Sequence, residues 1–105
     1  MKIYISGKIT GLPDENVYCK FYESSERLKK FGHEVMSPAV NLLNQGFSHG
    51  DYMHVSFAMM DVCDAVFMQK DWKDSRGARS ELLYALSRGM LIFWEDYSTI
   101  DVDLW

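Results

Sequence analysis

The sequence predicts an α/β protein in which a parallel sheet is covered by helices on both faces. Short runs rich in β-branched and aromatic residues alternate with helical patterns of about ten to fifteen residues, the signature of βαβ units with right-handed crossovers. Glycines at 32 and 89 stand where two of those helices should stop. The length, 105 residues, allows one hydrophobic core and no second independent domain, so residues 1–105 are expected to form a single domain. The expected architecture is a flavodoxin-like three-layer sandwich with a parallel sheet of four to five strands in the order 2-1-3-4(-5).

The elements follow in order. "MKIYIS" is a short β-rich run ending at Gly7, suited to the middle of a parallel sheet. After the loop "GKITGLPDEN", Val17, Phe21, Leu28 and Phe31 keep one face of a first helix, which Gly32 ends. "HEVMSP" is a second strand closed by Pro38, and the stretch from Ala39 to Gly50 reads as irregular or briefly helical. From Asp51 a second helix should turn Tyr52, Val55, Met59 and Val62 inward. "DAVFMQ" is the third strand, "KDWKDSRG" a loop, and residues 76 to 88 a third helix with Ala78, Leu82, Ala85 and Leu86 on its apolar face. "MLIFW" is the fourth strand, and "EDYSTIDVDLW" is a fifth short strand or an arm.

Composition narrows the function. The formal net charge is −4 with cations interspersed among carboxylates, so no basic stripe follows a nucleic-acid polymer. Cys19 and Cys63 have no metal-ligand spacing, and neither end carries a secretory signal or long apolar span, which predicts a reduced, cytoplasmic protein without membrane contact. His49, Asp51 and His54 form only a loose "HGDYMH" cluster, read as a polar loop leading into a helix and not as a metal site. No motif calls for a cofactor.

With strand one beside strand three, the topological switch point falls between them, and ligands of open α/β sheets bind beyond the carboxyl ends of strands at such a point. The loops leaving those strands are "GKITG" and "KDWKDSRG", the two segments richest in small polar and cationic residues. Gly7 and Gly11 bracket a turn whose N–H groups either face a ligand or serve the turn alone. The segment matches neither the Walker pattern nor the dinucleotide fingerprint. Ser75 is a helix N-cap or offers its hydroxyl to a phosphate, with Arg76 as a partner for that phosphate or a solvated side chain. Glu81, four residues after Gly77 on the same helix face, is either a carboxylate favoured by the helix dipole or a nucleophile beneath space left by the glycine. Tyr4 falls on the strand face opposite Ile3 and Ile5, where it packs in the core or reaches Glu81 with its phenol.

"KIYISGKITGLPDEN", "YM", "CDAV", a tryptophan and "SRGARSE" together resemble a family of small, largely phage- and prophage-borne domains of unknown function, over nearly the whole chain to about Trp94. That family is similar to the nucleoside 2-deoxyribosyltransferase-like superfamily, which includes the 2′-deoxynucleoside 5′-monophosphate N-glycosidases. The resemblance implies that Glu81 is the nucleophile on C1′ of deoxyribose, that Ser75 meets a 5′-phosphate, and that Tyr4, Gly7, Lys8, Ile9 and Gly11 contact sugar and phosphate. It also implies a homodimer. Two departures stand out: Ser56 occupies the position of an aspartate that assists the base or the sugar hydroxyl, and Lys8 replaces a usual proline. Trp72 belongs to the pattern without a catalytic role, and either packs over the loop or stacks on a base.

The expected function is therefore a deoxyribonucleoside or deoxyribonucleotide N-glycosidase or deoxyribosyltransferase acting on a small-molecule nucleoside or nucleotide. The alternatives are a nucleotide-binding module that retains the crevice without turnover, favoured by Ser56, and a structural interaction domain with an empty crevice.

Overall fold

The computed structural model describes residues 1–38 and 46–96. Four strands, β1 (Lys2–Ser6), β2 (Glu34–Met36), β3 (Ala65–Met68) and β4 (Leu91–Trp94), form one sheet in the order β2-β1-β3-β4, all parallel. Three helices connect them: α1 (Asp14–Lys30), α2 (His49–Asp61) and α3 (Arg76–Ser87), with a 3₁₀ turn at Trp72–Asp74 leading into α3. This is the flavodoxin-like sandwich. The proposed fifth strand falls largely in residues 97–105, outside the described residues.

β1 alternation divides the interior. Ile3 and Ile5 join Val17, Phe21 and Leu28 of α1 on one side of the sheet, while Tyr4 joins Met60 of α2 and Ala78, Leu82 and Ala85 of α3 on the other. β3 splits likewise, with Ala65 and Phe67 toward α1 and Val66 and Met68 toward α2 and α3. Because the chain reverses its direction across the sheet after β2, α1 covers one face and α2 and α3 the other.

The helix ends are written locally. Gly32 takes φ 85° and Gly89 φ 68°, the left-handed conformation a side chain disfavours. Behind them the N–H groups of His33 and Met90 return to the carbonyls of Leu28 and Ala85, closing α1 and α3 in the same way. α2 opens with a capping box, in which Asp51 N–H donates to Ser48 Oγ and Ser48 N–H to Asp51 Oδ2.

Two expected faces are corrected. Phe31 is the C-cap of α1 and 77 % exposed, and Ser24 takes its place in the buried stripe. On α2 the inward residues are Ser56 and Met60, whereas Val55 and Val62 face outward. The reason is that α2 is apolar nearly all round, so its pattern leaves the phase open. Ser56 is drawn inward by polar partners on β1 and α3.

Candidate functional site

Beyond the carboxyl ends of β1 and β3 lies a cavity of about 710 Å³. The β1–α1 loop contributes Gly7, Lys8, Ile9 and Thr10, the start of α3 contributes Ser75, Arg76 and Gly77, and α2 contributes His49, Tyr52, Met53 and Ser56. Glu81 also lines it and is only 5 % exposed. A smaller apolar hollow of about 300 Å³ at the opposite end of the sheet, near Lys2 and Cys63, has no buried carboxylate.

Glu81 is held by hydroxyls from two layers. Tyr4 Oη donates to Oε2, and Ser6 Oγ donates to Oε1 at 2.7 Å. Tyr4 and Ser6 are two residues apart on β1, so the pleat aims both at α3. The buried Ser56 hydroxyl bonds within the same cluster. Burial raises the pKa of Glu81, and the hydrogen bonds from Tyr4, Ser6 and Ser56 act against that rise. The Tyr4 phenol is pushed well above its ordinary value, first by burial and then by the adjacent carboxylate. Tyr4 therefore stays a hydrogen-bond donor, and a carboxylate oxygen keeps lone pairs for an electrophile in the cavity.

Ser75 caps α3 by accepting from Ala78 N–H at 3.1 Å, which leaves its own O–H to donate. The cap places the α3 N-terminus at the cavity, where it favours an anion. Lys8, Arg76 and Arg79 stand there with one exposed carboxylate, Asp74, so the rim is cationic on a chain of net charge −4. A Cβ on Gly77 would meet Met53 Sδ at 3.5 Å, Ser75 Oγ at 3.8 Å and His49 Cε1 at 3.9 Å, so these three side chains surround the space over the glycine.

Gly7 has a structural reason of its own. A Cβ there would overlap Gln69 Oε1 and come within 2.8 Å of Gln69 Cδ. Gln69 is buried and fixed by donating Nε2 to Lys20 O and Ser24 Oγ. The loop is also tied by Lys20, whose ammonium donates to Lys8 O at 2.6 Å and pairs with Asp71 at 2.9 Å, while Asp71 accepts from Lys8 N–H at 3.1 Å. Gly11 does not line the cavity; it is exposed with φ 89°, where the turn into α1 demands glycine. Trp72 is buried in the core against Trp94, with ring centroids 5.6 Å apart.

Sequence reasoning did not single out His49 as a cavity residue, and it missed Tyr52, Met53, Gln69 and the Lys20–Asp71 tie. The Ser48-x-x-Asp51 capping pattern was the available signal, because it starts α2 at His49 and sets His49, Met53 and Ser56 along one stripe. Asp51 and His54 of the "HGDYMH" cluster are both exposed; Asp51 serves the capping box, and His54 does not line the cavity. Among the described residues no group of three or more His, Cys, Asp or Glu could hold a metal ion, and no helix is long and apolar enough to cross a membrane. Cys19 and Cys63 are free thiols.

A parallel α/β sandwich with a buried glutamate under a cationic, capped helix start defines the class: a small single-sheet domain with a switch-point cavity. Residues 1–94 match the family model described as domain of unknown function DUF4406, and the chain belongs to that family. No curated protein matches it.

Proposed function

We infer that this chain is a deoxyribonucleoside or deoxyribonucleotide N-glycosidase or deoxyribosyltransferase. The observation that carries the reading is the Glu81 carboxylate, buried at a cavity wall and held by the Tyr4 and Ser6 hydroxyls. A structural pin between β1 and α3 needs no cavity above it, and an ionisable group buried without a cation is costly unless it has work to do. In this reading Glu81 attacks C1′, the base departs, and the glycosyl ester passes its sugar to water or to a second base. Ser75, Arg76 and the α3 N-terminus take the 5′-phosphate where the substrate has one. Lys8 and Ile9 line the same cavity. The likeness to the nucleoside 2-deoxyribosyltransferase-like superfamily belongs to this proposal, as does a homodimer, which the elution volume and light scattering of the purified protein would test.

Ser56 favours a second reading. Its hydroxyl hydrogen-bonds in the Glu81 cluster where a carboxylic acid would be better suited to deliver a proton, so the cavity could bind a nucleotide without turning it over. The deciding experiment incubates the protein with deoxynucleosides and their 5′-monophosphates and follows free base by chromatography, with Glu81→Gln as control. Base release lost in the control supports the enzyme. Thermal stabilisation by a nucleotide, with no base released, supports the binder.

A further inference from the structure

We propose that His49 is the group that protonates the departing base. The proposal rests on the Glu81 reading and adds the proton donor that reading lacks. Breaking an N-glycosidic bond leaves the electron pair on a base nitrogen, and an unprotonated base is a poor leaving group. The cavity must therefore deliver a proton opposite the nucleophile.

The residues facing that space are few. Lys8, Arg76 and Arg79 line the cavity as cations suited to a phosphate, Asp74 stands with them before the start of α3, and the Ser56 hydroxyl is engaged in the Glu81 cluster. His49 lines the cavity, and imidazole is the side chain suited to exchange a proton near neutral pH. Its Cε1 lies 3.9 Å from the Cβ position of Gly77. Gly77 stands four residues before Glu81 on α3, about 6 Å along the helix axis at the usual rise. The missing Cβ at Gly77 leaves the interval open, and Met53 and Tyr52 give it an apolar and aromatic wall suited to a planar base.

In the first step a Glu81 carboxylate oxygen forms a bond to C1′, the C1′–N bond breaks with its electron pair going to the base, and the His49 N–H proton moves to a base ring nitrogen. In the second step water gives a proton to His49 as its oxygen bonds to C1′, and the ester bond to Glu81 breaks. Both groups return to their starting states. The charged groups that line the cavity with His49 are Asp74, Arg76 and Arg79 around the start of α3, Lys8 of the β1–α1 loop, and Glu81, and Asp51 is two residues on in its own helix.

The test compares wild type, His49→Ala and His49→Gln on 2′-deoxyguanosine 5′-monophosphate, on the other unmodified deoxynucleoside monophosphates, and on 7-methyl-2′-deoxyguanosine 5′-monophosphate. The methylated base already carries a positive charge and leaves without a proton. His49 is exposed, so both variants should fold, and circular dichroism checks this. The expected result is a loss of ~10²-fold in base release from the best unmodified substrate and a change under ~3-fold with the methylated one. Equal losses on both substrates, or none on either, would overturn the assignment of His49 and leave Glu81 standing. Wild-type release from the methylated substrate alone would do the same. Wild-type release from no substrate at all would overturn the Glu81 reading and this proposal with it.

Discussion

The phenol of Tyr4 and the carboxylate of Glu81, 77 residues apart in sequence, are hydrogen-bonded where β1 meets α3. The bond joins the central strand to the helix that begins at the cavity. It both supports the carboxylate's charge and fixes its direction.

Replacing Tyr4 by Phe removes a donor to Glu81. The expected loss is about 1.5–3 kcal/mol of stability, as for other hydrogen bonds to charged groups. Because that bond lowers the Glu81 pKa, its removal raises it further. The acid limb of the rate–pH profile should therefore move to higher pH. An unmoved limb in an active Tyr4→Phe protein would exclude the role of Tyr4 in holding the nucleophile ionised.

Glu81→Gln should cost activity ~10⁴-fold or more while making the fold firmer. Burial raises the folded-state pKa of Glu81 above its unfolded value. The stability linked to the protonated form is then complete below the unfolded pKa and is lost as pH rises through the folded one. The Gln variant does not titrate. Its melting temperature relative to wild type should climb across that window, by ~4–8 °C for each kcal/mol recovered. Parallel melting curves at acid and neutral pH would contradict the burial of an ionisable carboxylate.

Ser75→Ala separates a cap from a ligand contact. Loss of the cap alone costs ~1 kcal/mol and leaves substrate preference unchanged. A phosphate contact adds a second signature, a rise in KM for a deoxynucleoside monophosphate with little change for the nucleoside. If KM rises equally for both, Ser75 acts only as the cap.

Gly7→Ala should destabilise by about 1–3 kcal/mol through overpacking against Gln69. The penalty should shrink when Gln69 is shortened, since the two sites share one volume. Urea unfolding of the two single variants and the double variant measures this coupling. Strictly additive effects would mean that Gly7 is required by something other than Gln69.

The strand and helix succession was legible because each boundary carries a local mark, such as Gly32 and Gly89 in left-handed conformations and Ser75 as a cap. Strand order came with the flavodoxin-like class, which places strand one beside strand three, and the sheet has that order. The inner face of α2 was not legible, since Tyr52, Met53, Val55, Phe57, Ala58, Met59 and Met60 put apolar side chains on nearly every side of the helix. Only the polar cluster around Glu81, assembled from β1, α2 and α3, selects Ser56 and Met60. The Lys20–Asp71 tie spans 51 residues and leaves no local trace. Phe31 continues a helical spacing into a turn where that spacing no longer has an inside.

The sheet also acts as a partition. The Ile3, Ile5, Phe21 and Leu28 cluster lies behind β1 and β3, while Tyr4 and Ser6 present the opposite side of the same strand to Glu81. Repacking the rear cluster with residues of equal volume should adjust thermal resistance while leaving the front chemistry unaltered, except through Ser24 and Lys20, which reach Gln69 and the β1–α1 loop. The domain thus offers its lineage two largely separate ledgers for change, one for endurance and one for the ligand.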